Sequence, residues 1–152
     1  MNKKGHTLFE LLVAMAVLLT MATIVVVRFV GPANTARDSV RRQALNDYRT
    51  AIELFADKNV GLYPSRTVAV SASGVLCSDL SITSCEEDPR NSVDPEQIYM
   101  YQTSDGNGNG SPTATEYVLW NKSEKTGQWI VVCSNSKAGT TIATPPYSSC
   151  PL

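Results

Sequence analysis

The 152-residue sequence has a single histidine, His6, and no pair of cysteines in a C-x-x-C arrangement. Protein zinc sites are built from such cysteine pairs or from several histidines, so a zinc site is poorly supported. The sequence also lacks the lysine of a phosphate-binding P-loop, and no residues stand in the spacing of a catalytic set. We therefore expect a protein that is not an enzyme.

An excess of positive charge is missing as well. The net charge is −1, and from residue 60 onward the chain carries five Lys or Arg residues against nine Asp or Glu residues. Nucleic-acid-binding domains present clustered positive charge, so direct nucleic-acid binding is not indicated. This part of the chain is typical of a polar, mildly acidic domain.

All four cysteines, Cys77, Cys85, Cys133 and Cys150, lie in this acidic part. Four cysteines allow three pairings, of which we favour Cys77–Cys85 and Cys133–Cys150 because each closes a short loop. An even number of cysteines in a small domain that follows an apolar N-terminal segment, residues 8–30, indicates disulfides and an extracytoplasmic location. Four reduced cysteines in a cytoplasmic protein are the alternative.

The longest apolar run covers residues 8–30 and is interrupted only by Glu10, Arg28 and two threonines. As a helix it is about 35 Å long, enough to cross a hydrocarbon core of about 30 Å. Lys3 and Lys4 precede it and favour a cytoplasmic N-terminus. We therefore predict a single-pass segment at residues 6–30 with the polar domain outside the membrane.

Gly31 and Pro32 follow this run, and we expect a kink or a melted turn there because proline lacks a backbone donor. Apolar residues then recur at steps of three and four, which predicts an amphipathic helix over residues 31–59. Three of its arginines, Arg37, Arg41 and Arg42, are interpreted as lying on the solvated face.

The remaining domain, residues 60–152, begins with an irregular connection and has an acidic stretch at residues 86–88 that we interpret as a solvated loop. Alternating aromatic and β-branched residues predict short strands that form an antiparallel sheet against the amphipathic helix. Residues 134–150 are predicted to form a closing loop tied back by Cys150. The fold class is therefore α+β. The predicted strands are residues 67–71, 98–103, 116–121 and 128–133.

One stretch fits the calcium-loop pattern D-x-N-x-N-G-x5-E. Its candidate ligands are hard oxygens at alternate residues with a closing glutamate, as calcium requires. The flanks are predicted strands rather than helices, so a flexible hairpin loop is the alternative. No cofactor is required by the sequence, and calcium is the single metal that it suggests. The candidate ligands are Asp105, Asn107, Asn109, Ser111 and Glu116.

The start of the chain, Lys3-Lys4-Gly5 followed by His6-Thr7-Leu8-Phe9-Glu10, resembles the leader of type IV pilins and pseudopilins. The long helix, its stop at Tyr63-Pro64 and the final cysteine pair are similar to the same family. The resemblance implies the pilin fold, in which a long N-terminal helix packs on a small antiparallel sheet and a disulfide closes the C-terminal loop.

The resemblance also implies processing. A prepilin peptidase would remove the leader, residues 1–5, by cutting between Gly5 and His6 and would methylate the new amine of His6. Glu10 would set the register of assembly, because an acid within a membrane segment is costly and a cationic amine of a neighbouring subunit offsets that cost. A wetted position at the membrane interface is the alternative for Glu10.

The function that the resemblance implies is that of a structural subunit of a type IV pilus-like filament, outside the cell or in the periplasm. Its partners would be copies of itself, the prepilin peptidase, an inner-membrane assembly platform and, before assembly, membrane lipid. A major pseudopilin of a type II secretion or competence system is one alternative. A membrane-anchored or secreted binding domain that does not polymerise is the alternative from another class. The sequence does not distinguish motility, adhesion, DNA uptake and secretion.

Overall fold

The computed structural model describes residues 7–94 and 96–152, and for residues 23–31 it describes the backbone without the side chains. The predicted leader, residues 1–5, and His6 lie outside the described residues. A long helix, α1, spans Leu8–Lys58. It is followed by β1 at Tyr63–Pro64, β2 at Val70–Ser71, a π-helical turn at Ala72–Leu76 and the short helix α2 at Cys77–Asp79. The remaining strands are β3 at Met100–Thr103, β4 at Pro112–Ala114, β5 at Tyr117–Lys122, β6 at Trp129–Cys133 and β7 at Ala138–Thr141.

Helix α1 has a defined start and a defined end. Thr7 is its N-cap, and at the other end the nitrogens of Asn59 and Gly61 both donate to the carbonyl of Ala56. Val60 and Gly61 adopt positive φ values of 59° and 80°, a conformation that turns the chain out of the helix. The predicted end near residue 59 is therefore close to the observed one.

Within the described residues, five strands form an antiparallel sheet in the order β2-β3-β5-β6-β7, and β1 pairs with β4 in a separate two-stranded ladder. The central register places Tyr101 opposite Leu119 and Trp120 opposite Val131. The predicted α+β class is confirmed, because α1 packs on antiparallel strands and the Cys133–Cys150 disulfide closes a C-terminal loop.

Alternating side chains divide the core into two layers. The layer between α1 and the sheet contains Leu45, Tyr48 and Ile52 from the helix with Tyr101 and Leu119 from the strands. The opposite face of the sheet is covered by the C-terminal segment, and there the rings of Trp120 and Tyr147 stack edge to face with 5.2 Å between their centroids. Strand β5 is therefore buried on both faces.

The structure corrects the prediction of a melted turn at Gly31 and Pro32, while the alternative of a kink at these residues stays a prediction. Helix α1 runs through both positions without a melted turn, and Pro32 lies inside it. Proline removes one backbone hydrogen bond, but the helical bonds before and after it hold the backbone in register. One continuous helix therefore connects the apolar N-terminal part to the domain.

Two further segments are more regular than predicted. The connection after α1 contains β1, β2, the π-helical turn and α2, stapled by the Cys77–Cys85 disulfide. The predicted closing loop at residues 134–150 contains β7, which extends the sheet beyond β6. Strand β2 lies within the predicted strand at residues 67–71, whereas β1 and β7, of two and four residues, are too short for an alternation of polar and apolar residues to reveal them.

Candidate functional site

The start of α1 combines a helix cap with an acidic residue. The hydroxyl of Thr7 accepts a hydrogen bond from the backbone nitrogen of Glu10 at 3.3 Å, and Glu10 lies in the first helical turn. A threonine followed three residues later by a glutamate has the spacing of a capping box, and negative charge is favourable at a helix N-terminus. Glu10 therefore also stabilises the start of the helix, a role that the Thr-x-x-Glu spacing indicates. Gly5 and His6, the residues of the predicted cleavage bond, lie outside the described residues.

The first part of α1 is apolar apart from Glu10 and Thr20, and none of the side chains described at residues 8–22 belongs to the domain's core. Its side chains are largely exposed, with Leu8 at 82% and Phe9 at 75% of full exposure. The hydroxyl of Thr20 donates to the carbonyl of Val17 at 2.8 Å, so this polar group is satisfied within the helix. A contiguous apolar surface of this size indicates a partner. We call the following residues the apolar stem: Leu8, Phe9, Leu11, Leu12, Val13, Met15, Val17, Leu18, Leu19 and Met21.

Among the residues that the structure describes, no helix is both long enough and apolar enough to cross a membrane. Part of the predicted segment at residues 6–30 lies outside that description.

The second half of α1 is joined to the domain by a buried charge network centred on Arg41. The Arg41 side chain has no solvent exposure. Its Nε and Nη2 donate to the two carboxylate oxygens of Asp88 at 2.6 and 3.0 Å, and its Nη1 donates to Asp38 at 2.8 Å. Nη2 also donates to Glu124 at 2.5 Å. One guanidinium therefore links the helix, the acidic stretch at residues 86–88 and the turn between β5 and β6.

Asp38 holds the same turn directly. Its carboxylate accepts hydrogen bonds from the Ser123 hydroxyl at 2.6 Å and from the backbone nitrogens of Glu124 and Lys125 at 3.0 and 3.2 Å. Burial by itself raises the pKa of Asp38, but the bonds from Ser123, from these nitrogens and from Arg41 outweigh it, so the pKa is lowered. Asp38 therefore stays ionised and fixes the turn against the helix.

Glu124 is held by a second arginine. The Nε and Nη2 of Arg37 donate to Glu124 at 2.9 and 2.7 Å, and Arg37 remains partly exposed. The hydrogen bond from Arg37, followed by the contribution of Arg41, lowers the pKa of Glu124 against the opposing effect of burial. We call Asp38, Arg41, Asp88 and Glu124 the Arg41 network.

Two predictions are wrong here. Arg41 is not on the solvated face of the helix, and Asp88 is buried rather than part of a solvated loop. Arg41 stands four residues before Leu45 and seven before Tyr48, and therefore lies on the apolar stripe that faces the sheet. The helical spacing indicates this buried position, whereas the charge of the residue by itself favours a solvated one.

A second link lies nearer the end of α1. The carboxylate of Glu53 accepts hydrogen bonds from the hydroxyls of Tyr63 and Tyr117 at 3.1 and 3.0 Å. Burial raises the pKa of both tyrosines, and the charge of Glu53 adds to this effect. The helix is therefore joined to β1 and β5 by hydrogen bonds from the two tyrosine hydroxyls to Glu53, in addition to the Arg41 network.

The predicted calcium loop is closed by contacts within the protein. Asp105 accepts hydrogen bonds from the nitrogen and the hydroxyl of Thr115 at 2.9 and 2.6 Å, and these bonds lower its pKa. The side-chain oxygens of Asn107 and Asn109 each accept from the backbone nitrogen two residues later. In the part of the chain that the structure describes, no group of three or more His, Cys, Asp or Glu residues is placed to hold a metal. Calcium ligation by Asp105, Asn107, Asn109, Ser111 and Glu116 stays a prediction.

Comparison with protein families gives one match. Residues 1–26 match the family model of the prokaryotic N-terminal methylation motif. The match covers Gly5, His6 and Glu10 and confirms the resemblance: the chain carries a leader of the class found in type IV pilins and pseudopilins. Such a motif indicates a structural protein. Comparisons with curated proteins and with solved structures gave no match.

Proposed function

We propose that the protein is a subunit of a type IV pilus-like filament that is made as a membrane-anchored precursor. The prepilin peptidase removes residues 1–5, His6 is N-methylated, and the subunit then polymerises through α1. The observation that carries this proposal is the coincidence of the methylation motif with the apolar stem. Processing at Gly5 leaves the stem at the new N-terminus.

The stem would have two environments in turn. Before assembly its side chains face membrane lipid, and after assembly they pack against the stems of neighbouring copies. A repeated contact between two different surfaces of one subunit propagates as a helix and gives an open fibre. An inner-membrane assembly platform would supply each subunit to the growing end.

Glu10 would set the position of each new subunit. Cleavage creates an amine at His6, about 6 Å from Glu10 along the helix axis. Pairing between Glu10 of one subunit and the methylated amine of the next offsets the cost of burying both charges and favours one register. The hydrogen bond between Glu10 and Thr7 uses the backbone nitrogen of Glu10 and not its carboxylate, so it does not compete with this intermolecular role.

The Arg41 network would connect the stem rigidly to the displayed domain. The ion pairs join α1 to two separate segments of the domain, so displacement of the helix carries the domain with it. A filament of such subunits transmits force along its length while presenting the sheet domain outside. A pilus and a pseudopilus share this design, so the function of the fibre follows from the machinery that assembles it.

Electron microscopy of material sheared from cells tests polymerisation. We expect fibres that contain the protein, and their loss when Phe9 and Leu12 in the apolar stem are both replaced by Ser. A matched pair of exposed apolar residues in the domain, Val68 and Ile142, serves as the control, and serine there should leave the fibres intact. Fibres that tolerate the stem substitutions would contradict the proposal.

A further inference from the structure

The loop between β3 and β4 contains two consecutive Asn-Gly pairs, Asn107-Gly108 and Asn109-Gly110. This pairing is chemically reactive, because glycine has no side chain to hinder attack by its backbone nitrogen on the preceding amide. Both asparagines are exposed to water. The function proposed above makes no use of this loop.

The reaction at each pair needs no cofactor or oxidant. The glycine nitrogen attacks the side-chain amide carbon of the asparagine, a carbon–nitrogen bond forms, and ammonia leaves with the proton from the attacking nitrogen. Water then opens the resulting succinimide ring at one of its two carbonyls. The product is aspartate or isoaspartate, and one negative charge is added to the loop.

In the structure both attacking nitrogens are engaged by one buried residue, Ser65. The nitrogen of Gly108 donates to the Ser65 hydroxyl at 2.8 Å, and the nitrogen of Gly110 donates to the Ser65 carbonyl at 2.8 Å. Ser65 is fully buried. Its nitrogen donates to the carbonyl of Ser111, and its hydroxyl donates to the backbone carbonyl of Asp105. A single residue therefore closes the loop at four points.

The asparagine side chains are also engaged by hydrogen bonds within the loop. The amide oxygens of Asn107 and Asn109 accept from backbone nitrogens at 3.4 and 3.0 Å, so the attacked carbons are fixed in turns. Cyclisation needs the two reacting atoms to approach each other, and these contacts oppose that approach.

We propose that Asn107 and Asn109 form a latent modification site, in which deamidation is suppressed by Ser65 while the loop is closed and proceeds when the loop opens. The two pairs differ in one respect. The Ser65 side chain protects the nitrogen that attacks Asn107, whereas the Ser65 backbone protects the nitrogen that attacks Asn109. The substitution Ser65→Ala therefore removes the side-chain hydrogen bonds to Gly108 and Asp105 and keeps the backbone hydrogen bond that protects Asn109.

The test follows the two sites separately by peptide mapping. The full chain is incubated in lipid nanodiscs in warm, mildly alkaline buffer, and the mass gain of one dalton and the isoaspartate content are measured at each asparagine. In Ser65→Ala we expect deamidation of Asn107 to accelerate about fivefold, the factor that one hydrogen bond of ordinary net strength gives. Asn109 should react at the wild-type rate.

Thr67→Ala is the matched control, because it trims a side chain beside Gly108 and leaves the Ser65 hydroxyl in place. Its two rates should equal those of the wild type. Equal acceleration of both asparagines in Ser65→Ala, or no acceleration of Asn107, would overturn the proposal. The wild-type chain alone gives a second test: both sites must react more slowly in the folded chain than in denaturant, and equal rates would also overturn it.

Discussion

Arg41 and Asp88 are 47 residues apart in the sequence and meet in a two-point ion pair whose side chains are both fully buried. Breaking a buried ion pair by removing one partner leaves the other charge without compensation. Arg41→Ala also leaves Asp38 and Glu124 without one of their donors. The stability of the domain should therefore depend strongly on this arginine.

We expect Arg41→Ala to lower the free energy of unfolding by about 3–5 kcal/mol, the cost measured for breaking buried ion pairs. Arg42→Ala is the matched control, since Arg42 is exposed on the same helix and should change stability by less than about 0.5 kcal/mol. Urea denaturation of both variants measures the difference. Equal stability of the two variants would show that the Arg41 network does not hold the domain to the helix.

The same network predicts a loss of stability in acid. Asp38 and Glu124 have pKa values below their ordinary values of 3.8 and 4.5, so the unfolded chain binds protons that the folded chain does not. Their contribution is therefore fully present above about pH 5 and is lost as the pH falls through the lowered values.

Thermal melts between neutral and strongly acidic pH measure this loss. In a plot of melting temperature against pH, Asp38→Asn should lessen the fall at acidic pH, called here the acid limb, because the neutral amide no longer titrates. Asp47→Asn, at an exposed position of the same helix, should leave the limb unchanged. An acid limb of wild-type steepness in Asp38→Asn would contradict the assignment.

Glu10→Gln separates the helical role of this residue from its charge. Glutamine is accepted at this position of a capping box, so the start of α1 should be retained and leader removal should proceed. Loss of the charge should reduce incorporation into fibres, which is measured as the ratio of fibrous to membrane-held protein. Glu10→Asp keeps the charge and should retain more incorporation than Glu10→Gln. A normal fibre yield from Glu10→Gln would contradict the pairing of Glu10 with the N-terminal amine of a neighbouring subunit.

The disulfide between Cys133 and Cys150 closes a longer loop than that between Cys77 and Cys85, with sequence separations of 17 and 8. It also ties the C-terminal segment over Trp120. Replacing Cys133 and Cys150 by Ser should cost about 3 kcal/mol, and replacing the other pair should cost less, because loop-closure entropy rises with loop length. The unfolding free energies of the two double variants are compared by urea denaturation. A larger loss from the shorter loop would contradict this ranking.

Local patterns predicted the long helix and the central strands because their apolar periodicity extends over many residues. They did not predict β1 and β4, since Tyr63 and Pro64 pair with residues 112–114 through contacts between distant parts of the chain. The helical spacing indicates that Arg41 faces the sheet, but its pairing with Asp88 depends on tertiary packing alone. The closing of the calcium-like loop by Ser65 is likewise a contact over some forty residues. The helix and the central strands, which depend on local sequence patterns, were therefore predictable, and the contacts between residues distant in the sequence were not.

Intact mass spectrometry of the mature protein tests the central claim most directly. Processing as proposed predicts a mass that lacks residues 1–5 and gains one methyl group, placed on His6 by fragmentation. A full-length N-terminus would indicate a static membrane anchor, and loss of about 30 residues would indicate an ordinary secretory signal peptide. Either of these masses would contradict the account of the protein as a processed filament subunit.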